Sequence, residues 1–486
     1  MLILHCHAEV TKNPKTKPLS DIEHAQQQIK KYQNFIVSAK QHQQNIVQIK
    51  KNTDQLEKTD RRFDYNSIIK LLPKENDTPT AAQMVIQHLQ LKTVDRDVKK
   101  ALALTQHCFS LKLPPVTPCN QLFSGRCWMF AGLNILRPYF IKKYKLKPDF
   151  ELSQSYLFFW HYFEQYTTMM NLFFYESLKG EEKAMYLEKP LHDGGNWFTF
   201  RRLVTKYGIV PKHTDGETWP SSHSSEMNSI LCALLQKDLK EIQNMKLNEF
   251  KTYRSDSLKK VLKILCLCMG HPPTGPITLV YDTPKCDKVS FTTPLAMFQE
   301  ADKQYHISQH VQLIIDPRHT TNAWYTTQHQ HLRGIPELLF NVDEEKNETI
   351  VKYITTSLSN GMGVWFACNM SINVSSVLQG MDKGLYRPDI FIGVDLEMNK
   401  KDRMEWGRAR CNHAMLISGV LEENGVVTAF QIQNSWGAGG PHQGYYKMTR
   451  EWFDEYVHTI VFHDSILGPL PQPDNPKELE YYDFFG

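Results

Sequence analysis

Apolar and polar positions alternate differently in the two halves of the chain. The run WMFAGLNILRPYFIKKY, which begins at Trp128, repeats apolar side chains at intervals of four, three and four residues, and this spacing predicts a buried helix. Pro138 lies within the run and is expected to kink the helix or loosen its C-terminal end. Residues 150–166 and 225–265 also have helical patterns. Later runs, among them PITLVYDT, GVWFACNM and HAMLISGVL, are rich in β-branched and aromatic residues and predict strands.

The order of these elements bears on the fold class. Helical patterns come first and strands follow, which favours an α+β fold over alternating βαβ units. Residues 1–60 differ from the rest because they are polar and rich in Gln and Lys. Ser20 and Glu23 have the spacing of a capping box, and apolar residues follow at helical spacing. We therefore expect a polar helical N-terminal arm.

Composition narrows the function classes. The chain has 486 residues, of which 41% are hydrophobic and 22% charged, as is usual for globular proteins. A formal net charge of +4 is too small at this length to indicate binding to nucleic acid. No stretch approaches 18 apolar residues, and the short apolar run at the start does not resemble an export signal, so we expect no membrane span. The 10 cysteines are scattered, which favours reduced thiols and a cytoplasmic location.

Cys127 is a candidate nucleophile because it opens the predicted helix after the turn residues of SGR. Unpaired N–H groups at a helix N-terminus stabilise a thiolate, which is the reactive form of cysteine. The alternative is a small buried hydrophobic residue, the commoner role of a cysteine. Gln121 lies six residues earlier, and its side-chain amide, together with the Cys127 backbone N–H, can stabilise an oxyanion.

Two distant motifs supply possible partners for the thiol. His413 lies at the start of one predicted strand, and Asn434 lies at the end of the next. A short turn at 422–425 joins these strands, so they are expected to pair as a hairpin and bring the two residues side by side. His413 would then accept the Cys127 proton while Asn434 orients the imidazole ring.

Four segments in this order carry a family resemblance: NQLFSGRCW, DGGNWFTFRRLVTKYGIVPK, NHAM and QNSWG. Together they resemble the bleomycin hydrolase family, within the papain-like cysteine peptidases. The resemblance extends over about residues 100–465. It implies a helical half plus an antiparallel β half, and a catalytic set of Cys127, His413, Asn434 and Gln121.

The spacing of this set differs from that of simpler papains. His413 lies 286 residues after Cys127, whereas the corresponding distance in simpler papains is about 130 to 150 residues. We therefore expect a large, mainly helical insertion at about 215–355. The remaining organisation follows from the resemblance: a papain-like catalytic unit at 61–486, with a C-terminal tail at 466–486.

Two glycines and the chain end are the candidate substrate-binding residues. Gly194 and Gly195 in DGGNW would let a substrate backbone approach closely, although an ordinary turn explains them equally well from sequence alone. The family resemblance favours the cleft, and it also implies that Trp436 shields His413 from water. It further implies that the terminal carboxylate, here of Gly486, pairs with the α-ammonium of the substrate. The ending FFG departs from the family's usual C-terminus, so a surface tail is the alternative.

The other cysteines and histidines have weaker claims. Cys119 precedes any helix, and nothing in its surroundings favours a thiolate. Cys411 lies two residues before His413 and would share its face on a strand, an arrangement that would bring it near the site. No cysteine pair has zinc-site spacing. Three histidines are expected to be structural or surface residues: His107, His192 and His442.

The leading hypothesis is a cytoplasmic aminopeptidase that cleaves peptides through an acyl-enzyme. It needs no metal or organic cofactor, and the family resemblance implies a homohexamer. One alternative is an endopeptidase or acyl transferase with the same triad. The other is a non-catalytic or nucleic-acid-binding assembly, which the low charge disfavours.

Overall fold

The structure is a computed structural model. It describes residues 69–72, 81–89, 91–94, 96–176, 178–280, 288–327, 337–343 and 347–479. Contacts divide the chain into two compact units, Met1–Ala81 and Ala82–Gly486. The predicted arm at 1–60 lies outside the described residues.

The helices of the described residues vary in length from 4 to 23 residues. In chain order they are α1 (Ala81–His88), α2 (Leu91–Val94), α3 (Val98–Leu104), α4 (Cys127–Tyr144), α5 (Gln154–Tyr175), α6 (Gly180–Glu188), α7 (Trp197–Tyr207), α8 (Trp219–Ser222), α9 (Ser225–Glu241), α10 (Leu247–Met269), α11 (Pro294–Tyr305), α12 (Asn347–Ser359), α13 (Pro388–Ile392), α14 (Lys400–Glu405) and α15 (Arg450–Tyr456).

The strands fall mostly in the C-terminal half, as their sequence patterns predict. They are β1 (Leu111–Lys112), β2 (Ile277–Val280), β3 (Lys288–Phe291), β4 (His310–Ile314), β5 (Ala323–Thr327), β6 (Leu338–Asn341), β7 (Val364–Cys368), β8 (Val374–Ser375), β9 (Gly380–Met381), β10 (His413–Glu423), β11 (Val426–Gln433), β12 (Tyr445–Thr449), β13 (Val457–His463) and β14 (Lys477–Leu479).

Two apolar helices form the centre of the helical part. α4 is buried along most of its length, and it continues through Pro138 to Tyr144, so the proline does not end it. α5 begins after Ser153, whose hydroxyl accepts a hydrogen bond from the Tyr156 N–H at 3.0 Å. This cap satisfies one of the unpaired N–H groups of the first turn. The predicted helices and the start of the first one at Cys127 therefore agree with the structure.

All described strands except β2 and β3 belong to one sheet, in the order β14-β5-β6-β4-β13-β7-β10-β11-β12-β9-β8, with β1 paired to β10. The predicted α+β class is confirmed. The expected antiparallel half is, however, a mixed sheet, because β14 pairs with β5, β4 with β6, and β12 with β9 in parallel. These three pairs join strands that are not consecutive in the chain, so strand patterns in the sequence do not reveal their direction.

The expected insertion at 215–355 has two parts in the structure. Its first part is helical, with α8, α9 and α10, as predicted. Its second part supplies β4, β5 and β6 to the main sheet. That this stretch is an insertion relative to simpler papains stays a prediction.

The packing of α4 on the sheet positions the site. α4 lies against β10 and β7. The indole N–H of Trp365, on β7, donates to the carbonyl oxygen of Trp128 at 3.1 Å, and both side chains are buried. The first turn of α4 is thereby held beside the residue that opens β10, which is His413.

Candidate active site

Cys127 is the first residue of α4, and its sulfur lies next to the start of β10. The backbone N–H of Ala414 donates to the Cys127 Sγ at 3.4 Å. Burial raises the pKa of the Cys127 thiol, whereas backbone N–H groups of Ala414 and Trp128 oppose that shift. The helix N-terminus and Ala414 therefore supply the donors that a thiolate needs once it forms.

His413 and Asn434 meet where two strands of the predicted hairpin end. β10 and β11 pair antiparallel, with Leu416 opposite Gln433, the residue before Asn434. The His413 Nε2 lies 2.8 Å from the Asn434 Oδ1. An amide oxygen only accepts, so this bond assigns the proton to Nε2 and leaves Nδ1 unprotonated. Burial lowers the pKa of His413 to about 4, and the bond to Asn434 opposes this shift. The imidazole is consequently neutral near pH 7 and able to act as a base.

Trp436 packs beside the His413 ring. The two ring centroids are 4.9 Å apart, and Trp436 is 41% exposed. The indole thus has one face on the imidazole and another toward solvent. This geometry fits the expected shielding of the hydrogen bond between His413 and Asn434.

Gln121 joins the two halves of the site. Its backbone N–H donates to the carbonyl oxygen of Ser435 at 2.8 Å, and its Oε1 accepts from the Ser435 hydroxyl at 2.5 Å. The Gln121 Nε2 donates to the carbonyl oxygen of Ser124 at 2.7 Å. A primary amide has two N–H donors, so the second remains available to a ligand.

These residues share a cleft with a volume of about 640 Å³. The predicted site residues that line it come from both halves of the fold: Gln121, Cys127, Gly194, Gly195 and His413. Asn434 lies behind His413. Gly486 lies outside the described residues, so its predicted contact with the substrate stays a prediction.

The two cleft glycines differ in what surrounds them. A Cβ on Gly195 would lie 2.6 Å from the Trp128 ring, whereas a Cβ on Gly194 would lie 3.1 Å from the His192 Nδ1. Trp128 is buried, and its indole N–H donates to the carbonyl oxygen of Asp193 at 2.9 Å. Gly195 is therefore needed for packing against Trp128, a reason that the sequence pattern did not show, and its role in substrate binding stays a prediction.

Asp193 is a central residue that the sequence reasoning missed. Its carboxylate accepts hydrogen bonds from the Gly125 N–H at 2.8 Å, from the Tyr162 hydroxyl at 2.6 Å and from the Ser224 hydroxyl. It thereby fixes the loop before Cys127 to the second cleft loop. The only signal in the sequence is the acidic residue that opens DGGNW.

Arg126 is the other missed residue. Its fully buried guanidinium pairs with Glu217 at 3.0 Å, and its Nε donates to the Ser124 hydroxyl at 2.8 Å. Burial lowers the pKa of Arg126, and Glu217 opposes this shift. Arginine nevertheless stays charged in proteins. Arg126 therefore fixes the loop before Cys127 from the protein interior.

Two other cysteines, Cys119 and Cys411, lie in different surroundings. Cys119 is buried against Arg137, and burial raises the pKa of its thiol to about 12, so its surroundings fit the expected structural role. Cys411 precedes β10 but still lines the cleft, and burial raises the pKa of its thiol.

The three histidines predicted as structural or surface residues have different settings. His192 lines the cleft, so its location is closer to the chemistry than predicted. His107 and His442 stack on each other with ring centroids 3.3 Å apart. Burial is the largest cause that lowers the pKa of His107 to about 3.

Two further properties concern the described residues. There, no group of three or more His, Cys, Asp or Glu side chains is arranged to hold a metal ion. Within the same residues, no helix has the length and apolar character needed to span a membrane.

Comparison with known proteins decides the family. The sequence profile of the peptidase C1-like family matches residues 24–477. The chain belongs to this family. Human bleomycin hydrolase is 31% identical over 399 residues, which cover 77% of this chain and 87% of that protein. Aminopeptidase C of Lactobacillus helveticus is 33% identical over 403 residues, which cover 78% and 87%.

A solved structure agrees with these sequence matches. The crystal structure of PepW from Lactobacillus rhamnosis superposes with a TM-score of 0.81 and 26% identity, and it covers 87% of this chain and 98% of that one. The resemblance to bleomycin hydrolases, the papain-like fold and the expectation of a cysteine peptidase are confirmed.

Proposed function

We propose that this protein is a cysteine aminopeptidase that hydrolyses peptide bonds through Cys127, His413 and Asn434. The observation that carries the proposal is the arrangement in one cleft. A cysteine opens a buried helix, and a neutral histidine bonded to Asn434 lines the same cavity. Gln121 lies beside them with an amide N–H available. This set suits attack on a carbonyl carbon.

The geometry supports a two-step reaction. The Cys127 sulfur attacks the scissile carbonyl carbon while its proton passes to the Nδ1 of His413. The carbonyl π electrons move to oxygen, and the backbone N–H of Cys127 and the Gln121 amide stabilise the oxyanion. When the intermediate collapses, the C–N bond breaks and His413 gives its proton to the leaving amine. His413 then activates a water molecule that hydrolyses the thioester and restores the thiol.

Trimming from the N-terminus requires a group that recognises an α-ammonium. We assign this role to the Gly486 carboxylate. The strand β14 ends at Leu479, paired with Thr327. The Thr327 hydroxyl donates to Glu337 at 2.8 Å, and Glu337 lies 3.5 Å from Arg202, which lines the cleft. Seven residues follow Leu479, and a chain of seven residues has a maximum reach of about 23 Å, which is compatible with this assignment.

The test compares a fluorogenic leucyl amide with its N-acetylated form. The wild type should hydrolyse the free amine far faster, and Cys127→Ala should hydrolyse neither. Cys108→Ala, which removes an exposed thiol, is the matched control and should keep full activity. Equal rates for wild type and Cys127→Ala would refute the nucleophile assignment.

A variant that lacks residues 480–486 tests the terminal carboxylate separately. Loss of the preference for a free amine is expected. A wild type that cleaves acetylated peptides internally would instead be an endopeptidase, and transfer of the acyl group to an amine would indicate an acyl transferase.

We also propose that the protein acts in the cytoplasm on peptides and assembles as a homohexamer. Support comes from the family resemblance and from the scattered cysteines. Light scattering should give about six times the chain mass of 56.6 kDa. A monomeric mass at micromolar concentration would contradict the assembly.

A further inference from the structure

An exposed, mainly apolar rim lies next to Gln121, the proposed oxyanion-binding residue. It consists of Leu122, Phe123, Trp219 and His223, and it is called the rim below. Phe123 is 78% exposed, Trp219 is 69% exposed and Leu122 is 47% exposed. The rings are contiguous, because Trp219 stacks on His223 at 3.6 Å between centroids and Phe123 lies 5.0 Å from His223. Contiguous exposed apolar surface of this kind marks binding sites.

The rim is continuous with the catalytic cleft and fixed in place. Phe123 is two residues from Gln121, so their Cα atoms are at most about 7.6 Å apart. The Phe123 N–H donates to the carbonyl oxygen of Ser222 at 3.0 Å, and Phe123 and His223 form a backbone bridge. These bonds hold the rings together without any ligand.

The chemistry indicates which part of a substrate meets the rim. His413 protonates the leaving amine, so the peptide on that side of the scissile bond passes over His413 and the exposed Trp436. Asn120 forms a backbone bridge with Trp436, and its Oδ1 accepts from the Leu122 N–H at 3.0 Å. The rim therefore continues the surface of Trp436. Its exposed members, Leu122, Phe123 and Trp219, do not line the 640 Å³ cleft where Gly194 and Gly195 lie.

We propose that the rim binds the leaving segment of the substrate, with preference for peptides that carry an aromatic or large apolar side chain two or three residues after the scissile bond. An extended peptide advances about 3.3 Å per residue, so side chains at those positions reach rings that begin two residues from Gln121. Aromatic rings gain both buried area and favourable ring contacts there. This inference rests on the proposed peptidase function.

The experiment compares two peptides within each enzyme variant. They are identical except for Phe or Ser at the second residue after the scissile bond. The wild type should show a kcat/KM ratio for Phe over Ser of about 10, mostly through KM, as expected for one well-packed apolar side chain. Trp219→Ala and Phe123→Ser should each bring the ratio down to about 2 or less.

Val426→Ser is the matched control, and it should keep the wild-type ratio. Val426 is 55% exposed at the turn of the β10–β11 hairpin, at the opposite end from His413 and Asn434. Because each ratio is measured within one variant, partial misfolding cancels. An unchanged ratio in both rim variants would overturn the proposal. A fall in molecular mass for those variants with an unchanged ratio would instead identify the rim as a contact between copies of the chain.

Failure of the proposed function has a different signature. If the wild type cleaves neither peptide, the rim is tested by binding of the same two peptides to the Cys127→Ala protein. Fluorescence anisotropy measures both affinities. Tighter binding of the Phe peptide, reduced by Trp219→Ala, would support the rim. Equal affinities would overturn it.

Discussion

The two sides of the catalytic cleft hold their residues by different means. On the helical side, Gln121 and Cys127 are close in sequence, and the loop that carries them is fixed chiefly by the partly buried Asp193 and the buried Arg126. On the sheet side, the register of β10 and β11 brings His413 into contact with Asn434. The helical side therefore depends on a side-chain network, whereas the sheet side depends on backbone pairing.

This difference predicts how each side fails. Loss of one member of a buried polar network leaves other buried groups unpaired, which lowers stability as well as activity. Loss of a side chain carried by an intact hairpin should lower the catalytic activity with less effect on the stability of the fold. Four predictions test this contrast.

The largest effect is expected from Gln121→Ala. Removal of one oxyanion donor typically lowers kcat by about 100- to 1,000-fold. Single-turnover and steady-state kinetics should show the loss in kcat with KM nearly constant, because the donor acts on the transition state. A change confined to KM would mean that Gln121 only binds the ground state.

Asp193→Ala should test the helical network directly. The substitution leaves the Tyr162 and Ser224 hydroxyls and the Gly125 N–H without their acceptor, so we expect a loss of about 3 kcal/mol in the free energy of unfolding. Urea unfolding measures it. Asp256→Ala removes an exposed carboxylate on α10 and serves as the control, with a change below about 0.5 kcal/mol. Equal stabilities for the two variants would contradict the proposed network.

Asn434→Ala should separate chemistry from stability on the sheet side. We expect kcat/KM to fall by about 10- to 100-fold, because the imidazole loses its orienting partner. The acid limb of the pH–activity profile should move as well. Protonated His413 cannot accept the thiol proton, so activity is present above its pKa of about 4 and is lost as pH falls through it. The bond to Asn434 opposes the lowering of that pKa, so its removal should shift the acid limb to lower pH. An upward shift in the pH profile would refute this account.

The smallest effect is expected from a pair of glycine substitutions. Gly195→Ala forces the Trp128 ring to move and should cost about 1–3 kcal/mol of stability. Gly194→Ala meets only the His192 ring at 3.1 Å and should cost less. Thermal unfolding of both variants measures the difference, and the reverse order would show that the Trp128 contact does not limit residue 195.

The same contrast explains which features of the site could be predicted from the sequence. The helix start at Cys127 and the hairpin that carries His413 and Asn434 have local signals, and both were predicted at the right residues. The bond between Asp193 and Gly125 spans 68 residues and has no local signature. The parallel strand pairs and the position of His192 in the cleft were missed for the same reason, since both depend on the assembled tertiary structure.

The central claim is that Cys127 and His413 act as one nucleophilic pair. It is tested most directly by peptide mapping after brief treatment with a peptide epoxide at pH 7. The account predicts selective labelling of Cys127 in the wild type, slowed by about 100-fold or more in His413→Ala, as expected for loss of a positioned base. Labelling of the exposed Cys108 at a rate equal to that of Cys127, or a rate at Cys127 that is independent of His413, would contradict it.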